Sequence, residues 1–178
     1  VLKAAMINYE IIIMASEIYV TVFDGDQKAM DEIAEIHLNI RRWQESIGQN
    51  DFTDINDSQK DLRNINSYYI ETGGIFLVAR DIANNEIAGF VGLKNEGYGY
   101  AIGKRLAVRP EYHRQGIATL LLVELKKWAK ENDFCNFTFN TNRGEKALPI
   151  YENLGCEIIG YDDSNDDYLL KLDWEESA

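Results

Sequence analysis

Between Tyr100 and Asn132 the spacing of apolar residues changes once, from a strand-like run to a helical repeat, and Pro110 and Gly116 stand at the change. Tyr100 to Val108 reads as a strand, stopped by Pro110, which has no N–H to give to a sheet. From Ile117 the apolar side of a helix follows through Leu120, Leu121, Val123, Leu125 and Trp128 to about Asn132. A strand that ends in a loop and enters a helix gathers unbonded backbone N–H groups and the positive end of a helix dipole at one point. That is an anion site. Gly116 lets the backbone approach a ligand, Ala118 keeps the helix start uncluttered, and Thr119 adds a hydroxyl donor. Around it lie Lys104, Arg105, Arg109, His113 and Arg114, a basic cluster in a chain of formal charge -12. A glycine at such a turn, taken alone, more often solves a packing problem than cradles a phosphate. No Gly-Lys-Ser/Thr ending of a P-loop is present, nor a glycine triplet of dinucleotide type.

The rest of the chain supplies the frame. Ile18 to Phe23 predicts a strand bounded by Asp24 and Gly25. A helix follows, with Met30, Ile33, Ala34, His37 and Ile40 on one face and Asp24 or Asp26 as its cap. A second short helix is expected from Ser58, with Ser58 and Asp61 as a capping pattern and Leu62, Ile65 and Tyr69 on one face. Gly73 and Gly74 break the chain before a hairpin of Ile75 to Arg80 and Ile87 to Leu93, turned at Asn84 and Asn85. Phe137 to Thr141 reads as a strand. A helix from about Glu145 then accommodates Pro149 in its first turn and places Ala147, Ile150, Tyr151 and Leu154 on one face. Glu157 to Tyr161 and Tyr168 to Leu172 form a final pair around an acidic tip, Asp162 to Asp167, which lacks the central glycine and terminal glutamate of a calcium loop.

Composition decides among classes of partner. A chain of 178 residues, 46% hydrophobic and 27% charged, can bury one sizeable core but is short for two. A single domain is expected over 14–178, with residues 1–13 either a leader or an extra edge strand. The apolar run Tyr9 to Ala15 contains Glu10 and falls short of the ~20 residues that span a bilayer, and no secretory signal pattern is present, so no membrane partner is expected. Cys135 and Cys156 are too few for a disulfide framework and stand in no Cys/His cluster with metal spacing, which points to a reducing cytoplasm and no metal. The acidic balance disfavours nucleic acid and suits an amine or other cationic substrate.

The run Arg105-Leu106-Ala107-Val108-Arg109-Pro110-Glu111-Tyr112-His113-Arg114-Gln115-Gly116-Ile117-Ala118 resembles motif A of the GCN5-related N-acetyltransferases (GNAT). Ala147 through Tyr151 to Leu154-Gly155-Cys156 resembles their motif B. The resemblance departs from the family pattern at His113, where Gln or Arg is usual, at Gly144, where Asn is common and Asn142 stands in, and at Cys156, which replaces a phenylalanine. It implies an α/β fold: a mixed, mostly antiparallel sheet flanked by helices, with a splayed parallel strand pair for the cofactor. By the same resemblance, acetyl-CoA lies with its pantetheine along the backbone of Leu106, Ala107 and Val108, pairing like an added strand. Its pyrophosphate rests on His113, Arg114, Gln115, Gly116, Ile117, Ala118 and Thr119, with Asn142 on the second strand.

The implied reaction is direct attack of an acceptor amine on the thioester carbonyl, with Tyr151 protonating the departing thiolate. A phenol of reference pKa ~10 can donate to a thiolate whose acid has pKa ~8.5. On its residues alone Tyr151 is equally a core tyrosine of an apolar helix face. Glu96, Glu71 and Asp81 are candidates for the base, with a water chain as the alternative, and Tyr68, Tyr69 and Phe76 either line an acceptor pocket or fill the core. The acceptor expected is a small primary amine. Acetylation of a protein N-terminus or lysine, and a non-catalytic acyl-CoA sensor, stay open at this level, as does a homodimer.

Overall fold

The computed structural model describes residues 11–12, 17–48, 59–142, 148–164 and 166–173. Among them eight strands form one sheet in the order β1-β2-β3-β4-β5-β6-β8-β7. These are β1 (Ile11–Ile12), β2 (Ile18–Val22), β3 (Ile75–Asp81), β4 (Ile87–Gly97), β5 (Tyr100–Val108), β6 (Asn136–Asn142), β7 (Glu157–Asp162) and β8 (Asp167–Asp173). Every pair is antiparallel except β5 with β6. The parallel crossover is made by α2 (Ile117–Glu131), as a parallel connection requires.

Helices cover both faces, which is why β3 reads as an unbroken apolar run. Ile75, Leu77 and Ala79 face the core beneath α2, and Phe76 and Val78 face the core beneath α1 (Gln27–Ser46). Of the two expected caps for α1, Asp26 serves, accepting from the N–H groups of Lys28 and Ala29, an arrangement worth about 1 kcal/mol. On α2, Val123 lies at the surface, 43% exposed, because the buried stripe runs through Leu121, Leu122 and Leu125.

The expected second helix is two tight turns, a 3-10 turn at Leu62–Asn64 and a π-helical turn at Asn66–Ile70. Leu62, Ile65 and Tyr69 are fully buried as the pattern requires. Ser58 lies outside the described residues. Asp61 makes no side-chain cap bond to the backbone; its carboxylate is taken by Arg105 instead. The third helix, α3 (Leu148–Asn153), holds Pro149 in its first turn, where a missing N–H costs little; Gly144, Glu145 and Ala147 lie outside the described residues.

Parallel pairing of β5 with β6 covers only Tyr100↔Asn136 to Gly103↔Phe139. Beyond that point β6 stays with β8 as far as Asn142, and β5 stays with β4 as far as Val108. The sheet therefore divides. At the point of division a Cβ on Gly103 would lie 1.9 Å from the Phe139 ring, so only glycine lets that aromatic close the end of the ladder. Next to it, Arg105 and Leu106 stand opposite the single residue Val91, a bulge with Arg105 at φ 62. Bulges bend the strand that carries them, and this one lies where β5 turns from β6.

Candidate active site

The division of the sheet opens a cleft of about 630 Å³. One wall is Leu106, Ala107 and Val108 of β5; the floor is His113, Arg114, Gly116, Ile117, Ala118 and Thr119; the facing wall is Ile40, Trp43 and Gln44 of α1, with Tyr112 and Ile150 closing the ends. Nine of the residues expected to hold a cofactor are thus brought together by a turn and a strand end. Gln115 is not among them, since its amide reaches the Glu111 carbonyl at 3.4 Å. Asn142 ends β6, paired with Asp167.

Gly116 caps α2 in the left-handed conformation, φ 78, and a Cβ built there would meet no protein atom within 4 Å. The first intrahelical bond of α2 is Leu120 N–H to Gly116 C=O at 2.9 Å. The N–H groups of Ile117, Ala118 and Thr119 precede it and have no acceptor in the helix, so they point from the positive end of the dipole toward the cleft. This is an open cradle of donors, and a CoA pyrophosphate fits the donor set.

The basic cluster is smaller at the site than its sequence spacing indicates. Arg105 is turned away, with Nε and Nη2 on the two oxygens of Asp61 at 2.9 and 2.8 Å. Arg109 is engaged by Glu111 at 2.6 Å and Glu86 at 3.8 Å. Arg114 lines the cleft and has no carboxylate partner among the described residues. His113 shapes the loop: Nε2 lies 2.9 Å from the Val108 carbonyl oxygen, which can only accept, so that nitrogen carries the proton. Its ring meets the Trp43 indole edge-on at 5.5 Å.

Tyr151 is 4% exposed and packs at a tilt against Phe139, with ring centroids 4.9 Å apart. Phe139 is the last residue of β6 paired to β5, so Tyr151 sits beside the apex of the divided sheet. Of the candidate bases, Asp81 accepts from the Tyr112 hydroxyl at 3.0 Å and Glu96 holds Lys94 at 2.6 Å, while Glu71 is exposed. Tyr69 and Phe76 are fully buried core residues; Tyr68 is half-buried, with the ammonium groups of Lys94 and Lys104 5.4 and 5.7 Å from its ring centre.

Behind the β5 wall lies a buried polar group that sequence reasoning did not assemble. Asp61 accepts from Tyr69 Oη at 2.6 Å as well as from Arg105. His37, 5% exposed, has Nε2 3.3 Å from Arg105 Nη1 and Nδ1 3.1 Å from the Gln59 amide. Burial, with the charges of Arg105 and Arg41, pulls the His37 pKa down to about 3, against a smaller upward pull from Asp61. Burial alone would raise the Asp61 carboxyl, but the bonds from Arg105 and Tyr69 hold it below its ordinary range. The α1 wall was also missed. Its signal was Trp43, three residues past Ile40 at the end of an apolar stripe.

An antiparallel sheet divided at one parallel pair, with a donor-lined helix start facing the gap, is a fold shared with solved acetyltransferases. One from Staphylococcus aureus Mu50, of the GNAT family, superposes with a TM-score of 0.74 at 22% identity, over 86% of this chain and 98% of that one. The PaiA N-acetyltransferase of Thermoplasma acidophilum, solved in complex with coenzyme A, gives 0.71 at 19% identity, over 87% and 99%. In sequence, residues 72–157 match the family model for an acetyltransferase (GNAT) domain. A stretch of 73 residues is 34% identical to streptothricin acetyltransferase A of Bacillus subtilis (strain 168), covering 41% of this chain and 42% of that protein, so the match spans less than half of that curated relative. Residues 72–157 thus resemble a GNAT acetyltransferase domain, and the fold is the one that solved GNAT acetyltransferases share.

Proposed function

We propose that the protein transfers the acetyl group of acetyl-CoA to a primary amine of a small molecule. The observation that carries the reading is the juxtaposition at the divided sheet: β5 backbone with a free edge beyond Gly103, the donor cradle of Ile117 to Thr119 in the cleft, and Tyr151, buried against Phe139 and next in the chain to Ile150 of the cleft lining. The free edge of Leu106 to Val108 suits an extended pantetheine, and the cradle suits its pyrophosphate. Gln115 faces Glu111, so the anion contact falls to backbone N–H groups and Arg114. The named activity of the B. subtilis relative supports a small amine acceptor, and the formal charge of -12 favours a cationic one.

The chemistry balances without a further reactant. The amine nitrogen bonds to the thioester carbonyl carbon as the carbon–sulfur bond breaks, and the Tyr151 hydroxyl gives its proton to the leaving thiolate. Asp81 and Glu96 are already engaged, which leaves Glu71 or solvent in the open cleft to take the proton of the amine. Holding both reactants in one geometry supplies most of the acceleration.

Calorimetry with acetyl-CoA, using dephospho-CoA and ATP as comparators, tests the first half. Selective micromolar binding is expected, and none would overturn the assignment. An amine panel read by thiol release tests the second; tight binding with no turnover would make the domain an acyl-CoA sensor. Tyr151→Phe keeps the packing on Phe139 and is expected to retain acetyl-CoA affinity while kcat falls by ~10². Unchanged kcat would return Tyr151 to the core.

A further inference from the structure

We propose that Arg105 is a positioning residue: forked onto Asp61, its guanidinium fixes the bulge that turns β5 from β6 and thereby sets the separation of the two walls of the cleft. The inference rests on the acetyl-transfer reading only for its kinetic consequence, not for the geometry.

Arg105 holds a left-handed backbone, φ 62, that a residue with a side chain adopts only against a penalty. Glycine would adopt it freely, so the side-chain contacts are what offset the strain here. Directly and through Asp61, those contacts reach three separate elements. Two parallel bonds run to Asp61, in the turn before Leu62. Asp61 is in turn bonded by Tyr69, whose ring lies against Gly92, the β4 partner of Lys104 next to the bulge. A third contact reaches His37 on α1 at 3.3 Å, one helical turn before Ile40; Gln59 lies 3.1 Å from the other ring nitrogen and donates to the Ala34 carbonyl.

Both walls of the cleft are therefore attached to one guanidinium. Leu106, the next residue on β5, begins one wall, and Ile40, Trp43 and Gln44 form the other. A planar fork on a carboxylate resists rotation in a way a single ammonium does not. The anion cradle belongs to α2 and lies outside this linkage, so loosening the fork moves the walls without removing the phosphate donors.

The test removes both charges together, because deleting one would leave the other buried and unpaired. In Asp61→Asn/Arg105→Gly the glycine can adopt the left-handed conformation without strain but nothing holds it there, and the amide oxygen keeps the Tyr69 bond. Hydrogen–deuterium exchange of the unliganded protein is the first readout. Protection is expected to fall in residues 105–108 and 37–44 while the middle of β3 and β4 keeps theirs. Loss spread evenly over the molecule, or none, would overturn the proposal, since a fork that only adds stability acts globally. The second readout is kinetic: kcat about tenfold or more down, with KM for acetyl-CoA changed less than about threefold. Arg105→Lys, which keeps the charge and loses the fork, should fold and fall between wild type and the double variant in both readouts. Equality of Arg105→Lys with wild type in both would also refute the fork. A wild-type protein with no turnover would defeat the acetyl-transfer reading and leave the positioning role to the exchange result.

Discussion

His37 should make the protein lose stability in mild acid, by an amount its burial sets. The unfolded chain takes up a proton on this ring near pH 6.5, and the folded chain refuses it until about pH 3, because burial and the neighbouring arginine charges oppose the imidazolium. In the window between those values the unfolded state binds more protons, so stability is complete above pH 6.5 and falls as the pH is lowered. Taking 6.5 and 3 as the two values, lowering the pH from 7.5 to 5.5 costs about 1.4 kcal/mol, roughly RT ln 10. The window stays above the pI of about 4.6, where solubility would confuse the result. Asp61 acts in the same direction but only at lower pH, since its folded value lies below the ordinary carboxylate range. Relief of repulsion as the acidic surface nears neutrality acts in the opposite direction. The comparison is therefore made against His37→Gln, which removes the titration and leaves the surface unchanged. Urea unfolding at pH 7.5, 6.5 and 5.5 should give wild type a loss larger by about 1.4 kcal/mol than the variant shows. Equal pH dependence in the two would refute the claim that a buried neutral His37 governs acid stability.

Three further outcomes follow from particular contacts. Gly116→Val places a branched side chain in the cradle at a left-handed backbone position, and calorimetry should show CoA affinity reduced by ~10² or more; unchanged affinity would move the anion site elsewhere. Gly103→Ala drives a methyl group into the Phe139 ring, so Tm should fall by about 3–10 °C for an overpacking cost of about 1–3 kcal/mol, and an unaltered Tm would mean that β5 and β6 separate without cost. Burial pushes the Cys156 thiol up to about 11, so at pH 8 on the order of 10⁻³ of it is thiolate. Mass spectrometry after brief iodoacetamide treatment should find Cys156 modified in denaturant and intact in the folded protein, and rapid labelling of the folded protein would contradict its placement.

Much of the site was legible before any coordinates because its parts are local. A strand ended by Pro110, a glycine at 116 and an apolar helix from Ile117 make a donor cradle whatever surrounds them; the structure places all three in that order and adds the left-handed backbone of Gly116. Motif A likewise carries Leu106 to Val108 onto the cleft wall, because those residues sit one loop away from the cradle. Basic residues were less legible. Charge spacing cannot say that Arg105 faces Asp61, 44 positions earlier, or that Arg109 is held by Glu86 and Glu111.

What the sequence by itself determined is the set of elements whose cause lies within a turn or two: the strands, an aspartate cap on α1 at Asp24 or Asp26, the glycine cradle and the apolar stripes. Only the tertiary structure decided where the sheet divides, which α1 residues face β5, and that Asp61, Tyr69, His37 and Arg105 share one buried site. The reason is physical. Backbone preference and helix polarity act over a few residues and leave a mark in the local pattern, whereas ring closure over Gly103 and the pairing of buried charges depend on which distant segments packing brings together.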